Sequence, residues 1–180
     1  MKNKRHVFLS LQHRSALSIR ENRQRLGHAA FHWGILICSK NPTESNCCVF
    51  DASDGILLDE TTGINLNPDG NWNFREKTYT DPQAIAHFLG SVMIEKLPKG
   101  ITNAGFRDIL KDIALPQPGA KPEQNCVSWT RNGILELQEK GLVEQFDLDR
   151  FMDDALAYAD KHLRDYNSTP ASINYTDRPM

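Results

Sequence analysis

The sequence lacks several features that would assign it to a specialised class of protein. It has no apolar run of the roughly 20 residues that a membrane span requires, and its N-terminus lacks the apolar core of a signal peptide. We therefore expect a cytoplasmic protein without stable membrane insertion. The formal net charge of -2 gives no electrostatic reason to expect nucleic acid as a partner.

Cysteine is scarce, and its placement argues against a disulfide framework or a metal site. The four cysteines are Cys38, the adjacent pair Cys47 and Cys48, and Cys126, with no CxxC pair among them. Because an export signal is missing, we expect reduced thiols, with the first three filling strands. Cys126 and a single histidine do not supply the four ligands of a zinc site, so we expect neither a metal nor another cofactor.

The composition that remains is typical of one globular domain. Hydrophobic residues make up 39% and charged residues 24% of 180 residues, which is enough apolar material for a core without covalent staples. We expect a single domain over residues 1–166, followed by a polar tail over 167–180 that is disordered. The oligomeric state stays open.

The first half of the chain predicts strands. Alternating or continuous apolar patterns favour strands over 6–12, 29–38, 47–53 and 71–79. The second is too apolar to be half exposed and should be central in the sheet. A turn containing Pro42 and Asn46 should pair it antiparallel with the third. The polar, arginine-rich segment between the first two strands predicts a connecting excursion with one helical turn.

The second half predicts helices. Asp81 as a cap, with Pro82 at the first helical position, favours a helix over 81–97. Asn103 should cap a second helix, Asn125 should begin a third that ends at Gly141, and a fourth should cover 148–163. Strands followed by helices predict an α+β fold, in which a small antiparallel sheet packs against a helical layer.

Cys126 lies where a helix start would favour a nucleophilic thiol. With Asn125 as the N-cap, the free backbone N–H groups and the helix dipole stabilise a thiolate. The same N–H groups, together with Gln124 or Asn125, could hold the oxyanion that forms when a carbonyl is attacked. Trp33 and Trp129 are expected to line the core or the walls of a pocket.

A thiol nucleophile needs a base, and the base needs a group that orients it. His32 is a poor choice for filling a buried strand, which makes it the candidate base, with His28 as the alternative. Asp51 on the neighbouring strand could place its carboxylate beside the imidazole. Asp54 is a weaker candidate for this role, because it follows the strand in a turn.

Three short motifs carry a resemblance to a known group of enzymes. The "HW" of His32 and Trp33, the "FDAS" that contains Asp51, and the "NC" of Asn125 and Cys126 resemble the circularly permuted papain-like hydrolases. The resemblance is to the lecithin:retinol acyltransferase-like group of the NlpC superfamily. It spans roughly positions 28 to 145 in element order, and Asp51 stands where that group usually has histidine. The chain is also similar to small uncharacterised fungal proteins with "HW" and "NC" motifs.

The resemblance implies a permuted papain-like fold and acyl transfer through a thioester on Cys126, to water or to an amine. The expected activity is that of a thiol-dependent hydrolase or acyltransferase acting on an amide or ester of a small molecule or peptide. The alternative is a non-catalytic binding or assembly module that keeps the fold without the chemistry.

Overall fold

The computed structural model describes residues 4–39, 47–98, 100–164 and 171–176. Six strands lie within them: β1 (Arg5–His13), β2 (Phe31–Ser39), β3 (Cys47–Ser53), β4 (Asn73–Tyr79), β5 (Phe88–Lys96) and β6 (Ala171–Asn174). The α-helices are α1 (Arg20–Leu26), α2 (Asn103–Leu110), α3 (Cys126–Glu139) and α4 (Leu148–Arg164).

One sheet contains all six strands in the order β4-β3-β2-β1-β5-β6. Neighbouring strands are antiparallel except for β5 and β6, which are parallel. Helix α3 packs on β2 and β3, and α4 packs on β5. The predicted α+β class is therefore confirmed, and β2 occupies the central position that its apolar sequence favours.

The alternation of side chains along β1 decides which face of the sheet carries the main core. Val7, Leu9 and Leu11 are fully buried on the face that the helices cover, whereas Phe8 belongs to a smaller apolar cluster on the opposite face. Burying one such aliphatic side chain stabilises a fold by about 1.5–3 kcal/mol. The helix layer is therefore held mainly by apolar contact with the central strands.

The predicted helix over 81–97 is wrong. Asp81 does cap a turn, since its carboxylate accepts the N–H of Gln83, but that turn is a single 3-10 turn over Pro82–Ala84. The chain then enters strand β5, which pairs with β1 along most of its length. The second half of the sequence therefore contributes an interior strand as well as helices.

The remaining helices agree with the predictions except at one cap. Asn125 caps α3, and Gly141 follows its end with a positive φ of 67°, as expected for a terminating glycine. In α2 the cap is Thr102 rather than Asn103, because the Thr102 hydroxyl accepts the N–H of Gly105. Helix α1 has seven residues, which is longer than the single turn expected there.

Cys38 and Cys47 form a disulfide, so the expectation of reduced thiols is wrong for this pair. Ile37 pairs with Cys48 across the antiparallel strands, and the same register sets Cys38 opposite Cys47. Cys48 and Cys126 are free. The predicted turn with Pro42 and Asn46 lies outside the described residues.

The C-terminal part of the chain contributes to the sheet where disorder was expected. Within the expected tail, Ala171–Asn174 forms β6 against β5, and Tyr175 packs on the main core. Among the described residues, no helix is both long enough and apolar enough to cross a membrane.

Candidate active site

The candidate site lies where strands β2 and β3 stop pairing. Among the described residues, β3 pairs with β2 over Ile35–Ile37, whereas β1 accompanies β2 from Phe31 to Ser39. One residue beyond the last paired position, Gly34 lies so close to β3 that a Cβ would be 3.0 Å from the Phe50 carbonyl oxygen and 3.2 Å from the Asp51 Cβ. A side chain at this position would therefore push β3 away by a few tenths of an ångström.

His32 and Asp51 meet at this unpaired end of the two strands. The His32 Nε2 atom lies 3.1 Å from Asp51 Oδ2, and the Asp51 side chain is 4% exposed. The predicted contact between these two side chains is present in the structure. Because the carboxylate is nearly inaccessible to water, it needs partners on both oxygens to remain charged.

Arg75 supplies those partners, and the sequence reasoning missed it. It stands directly opposite Asp51 on β4, where its Nε donates to Oδ1 at 2.7 Å and its Nη2 to Oδ2 at 2.9 Å. Burial alone would raise the pKa of Asp51, but the hydrogen bonds from His32 and Arg75 hold it below its ordinary value. The carboxylate is thus fixed as an anion beside the imidazole.

Cys126 reaches the same place from the start of α3. A capping box fixes this terminus: Asn125 Oδ1 accepts the N–H of Val127 at 2.9 Å, and Ser128 Oγ accepts the N–H of Asn125 at 2.9 Å. The Cys126 thiol donates to the carbonyl of Phe31, the residue before His32, at 3.9 Å. The helix start therefore lies against the first residues of β2.

The charges around His32 make it an unusually strong base. Burial alone would lower its pKa, but hydrogen bonds and charge attraction from Asp51 and Cys126 outweigh burial and raise the pKa to about 9. Asp51 occupies Nε2, so Nδ1 is the ring nitrogen that remains for the thiol. The structure brings Cys126, His32 and Asp51 together, as the sequence predicted.

The alternative residues for the base and its orienting acid lie elsewhere. His28 Nε2 is 3.1 Å from Asp153 on α4, and its backbone carbonyl accepts the indole N–H of Trp33. Asp54 follows the end of β3 at Ser53 and is exposed. His32 rather than His28 is therefore the histidine that meets the buried carboxylate.

The polar residues before Cys126 have structural tasks of their own. Gln124 is exposed, and its side-chain oxygen accepts the N–H of Gln117. The Asn125 side-chain oxygen is occupied by the cap. At a helix start the first backbone N–H groups lack intrahelical acceptors, so the N–H of Cys126 remains the candidate oxyanion donor.

The two tryptophans are core residues beside the site. Trp33 is fully buried, and Trp129 is 1% exposed with its ring centroid 5.9 Å from that of Phe74. The Trp129 indole N–H has no hydrogen-bond partner among the described residues. Both rings therefore lie in the core, which is one of the two positions expected for them.

Access to the thiol is restricted. Cys126 is 2% exposed, whereas the side chains of His32 and Arg75 are 16% and 21% exposed. Solvent therefore meets the site from the imidazole side. No cluster of three or more metal-ligating side chains occurs in the part of the chain that the structure describes.

Comparison with known proteins assigns a family without a known activity. The chain matches the family of unknown function DUF6914 over residues 12–174, which includes the whole candidate site, and it belongs to that family. No curated protein and no solved structure matches the chain.

Proposed function

We propose that this DUF6914 protein is a thiol-dependent hydrolase or acyltransferase that acts on an amide or ester through a thioester on Cys126. The observation that carries the proposal is the position of His32 between Asp51 and Cys126, with a pKa raised to about 9 by both. The imidazole beside the sulfur can take the proton of the thiol as the sulfur attacks a carbonyl.

The first half of the reaction forms the thioester. His32 holds the proton of the thiol on Nδ1 while the sulfur attacks the carbonyl carbon, and the carbonyl electron pair moves to oxygen. The backbone N–H at the start of α3 donates to this oxyanion. When the intermediate collapses, the bond to the amine or alcohol breaks, and the leaving group takes the proton from His32.

The second half releases the acyl group. Water or an amine attacks the thioester carbonyl, His32 accepts the proton of the nucleophile, and the thiolate leaves. Asp51 keeps the Nε2–H oriented throughout, and Arg75 keeps Asp51 charged and in place. Neither residue needs to gain or lose a proton during the cycle.

The sequence resemblance supports the same reaction class. The proposal includes a permuted papain-like arrangement of the elements, a small-molecule or peptide substrate, and a cytoplasmic location. These parts rest on the "HW" and "NC" motifs and on the charge and hydropathy of the sequence.

The proposal is tested by trapping the thioester. The protein is incubated with p-nitrophenyl acetate, and the adduct is located by intact mass and peptide mapping. We expect one acetyl group on Cys126, absent from Cys126→Ala and retained in the matched variant Cys48→Ala, which removes the other free buried thiol. An adduct of equal yield in Cys126→Ala would refute the proposal, as would no adduct in the wild type.

The burial of Cys126 favours one second candidate, a non-catalytic binding module that keeps the fold. A thiol that is 2% exposed also suits a purely structural cysteine at a helix start. In that case iodoacetamide should label Cys126 and Cys48 equally slowly in the folded protein. Selective labelling of Cys126 would exclude this candidate.

A further inference from the structure

The connection between β3 and β4, residues 54–72, has a base that its own polar groups hold together. Asn67 is 7% exposed, and its side-chain nitrogen donates to the carbonyls of Gly55 at 3.0 Å and Asn71 at 2.9 Å. Its side-chain oxygen accepts the N–H of Asn71 at 2.9 Å. One buried amide thus joins the two ends of the connection, which we call the acidic loop.

Hydrogen bonds within the acidic loop also hold its tip together. Asn65 Oδ1 accepts the N–H of Leu57 at 3.1 Å, and an antiparallel bridge pairs Leu58 with Asn65. Asp59 Oδ1 accepts the N–H groups of Thr61 and Thr62. These hydrogen bonds give the tip of the acidic loop an ordered backbone.

Those remaining side chains are aliphatic and face solvent. Five large apolar residues of the acidic loop have exposed fractions between 41% and 69%: Ile56, Leu57, Leu58, Ile64 and Leu66. Contiguous exposed apolar residues on an ordered scaffold usually mark an interaction surface. The rest of the acidic loop carries four carboxylates and no lysine or arginine.

A surface of opposite charge lies at the same end of the sheet as the acidic loop. Because β1 to β4 are successive antiparallel strands, the connection from β1 to β2 emerges at the same end of the sheet as the acidic loop. Its residues 14–26 contain four arginines and one glutamate; Arg23 is paired with Asp160 of the same chain, whereas Arg20 and Arg25 are exposed. We call residues 14–26 the basic connection.

The basic connection contains a depression that could accept an apolar side chain. A cavity of about 400 Å³ is lined by Ala16, Ile19, Arg20, Glu21 and Asn22. Ile19 is itself 41% exposed. The chain thus carries a protruding aliphatic surface with negative charge and a recessed surface whose lining includes Arg20 and Glu21.

We infer that the protein forms a two-fold dimer in which the acidic loop of each copy packs against the basic connection of the other. Both surfaces lie at one end of the sheet, one following β1 and the other following β3, so a two-fold axis perpendicular to the sheet at that end exchanges them. Each acidic loop then contacts the basic connection of the other copy. Both copies of each surface are used, so the assembly stops at a dimer. The unpaired ends of β2 and β3 lie between these surfaces, so the partner copy walls the opening at His32.

Sedimentation velocity of the full chain over a range of concentrations tests the inference. We expect a dimer whose affinity falls as salt is added, because charge pairs contribute to it. The double variant Leu58→Ser/Ile64→Ser should weaken association at least about tenfold, as expected when apolar contacts at an interface centre are lost. The matched control is Leu135→Ser on α3, which removes a side chain 44% exposed outside both surfaces.

A charge exchange identifies the surfaces that meet. Glu60→Arg and Arg20→Glu, both at exposed positions, should each weaken the dimer, and the variant that carries both changes should recover it. Circular dichroism confirms that each variant is folded. A monomeric wild type at the highest concentration would overturn the inference, as would a dimer indifferent to the leucine and isoleucine changes or a double charge variant that stays dissociated.

Discussion

Cys126 and Cys48 are both free and both buried, yet their surroundings are opposite in charge. Cys126 begins a helix and meets the imidazole of His32, whereas Cys48 is the second residue of β3 and its thiol donates to Glu76 Oε1 at 3.6 Å. Burial, followed by the charge of Glu76, raises the pKa of Cys48 to about 12. Because both thiols are buried, we expect the charged group nearest each sulfur to decide how differently the two react.

Two consecutive residues of β4 build this difference. Arg75 stands opposite Asp51, and Glu76 stands opposite Phe50, so their side chains leave the strand on opposite faces. Arg75 therefore fixes the carboxylate that supports His32, while Glu76 places its own carboxylate beside Cys48. One strand supplies a cation to one cysteine environment and an anion to the other.

The largest effect should follow from removing the base. His32→Ala is expected to slow acylation of Cys126 by p-nitrophenyl acetate by about 10²–10⁴-fold, which is the usual contribution of a positioned acid or base. His28→Ala is the matched control, since His28 faces Asp153 instead. Stopped-flow release of p-nitrophenol gives the acylation rate. An unchanged rate in His32→Ala would show that the imidazole does not make Cys126 more reactive than Cys48.

The second effect concerns stability at the two carboxylates. Asp51→Asn leaves Arg75 without its anion in a mostly buried place and should lower the free energy of unfolding by about 3 kcal/mol. Glu76→Gln breaks the more exposed pair with Arg107 and should cost less than about 1 kcal/mol. Urea denaturation measures both variants. Equal losses would mean that the Asp51 pair is no more important than a surface ion pair.

Features of the fold and site could be predicted from the sequence where they depend on residues close together along the chain. The start of α3 was predictable because Asn125, Cys126 and Ser128 form a local cap pattern. The meeting of His32 with Asp51 followed from adjacent strands joined by a short connection. Arg75 was not predictable in the same way, because the long acidic loop leaves the register of β4 against β3 undetermined.

The misassigned strand β5 shows a second limit. Leu89 and Val92 face the main core while Met93 faces the smaller cluster, so the strand is covered on both sides and shows no polar alternation. Apolar residues at 85, 88, 89, 92 and 93 then imitate helical spacing. The pairing of this segment with β1, which is distant in the sequence, makes it a strand rather than a helix.

The third effect is a dependence of stability on pH. The folded pKa of His32, about 9, lies above its unfolded value of 6.5, so its contribution is complete below the unfolded value and is lost as pH rises through 9. Asp51, with a lowered pKa, contributes above its unfolded value of 3.8 and loses that contribution as pH falls. Stability should therefore be greatest between these two unfolded values.

The raised pKa of Cys48 also removes stability at alkaline pH, because an unfolded thiol ionises earlier than the buried one. The experiment therefore uses a Cys48→Ala background. We compare Cys48→Ala, which keeps His32, with the double variant Cys48→Ala/His32→Gln. The free energy of unfolding should fall more between about pH 6.5 and pH 9 in the protein that keeps His32. Parallel curves for the two proteins would contradict the assigned charge of His32.

The smallest effect should come from Gly34. Gly34→Ala places a Cβ against the Phe50 carbonyl and the Asp51 Cβ, so β3 must shift by a few tenths of an ångström. We expect a stability loss of about 1 kcal/mol, as for mild overpacking, and slower acylation of Cys126. Alkylation of Cys48 should not change. Thermal denaturation and the stopped-flow assay measure the two effects, and unaltered acylation would place Gly34 outside the site.

The most direct test of the central claim is competitive alkylation of the two buried thiols. The folded protein is treated with iodoacetamide at neutral pH, and peptide mass spectrometry follows the modified fractions of Cys126 and Cys48 over time. We predict that Cys126 is modified first and that His32→Ala removes this preference. Equal rates for the two cysteines in the wild type, or a preference that survives in His32→Ala, would contradict the account.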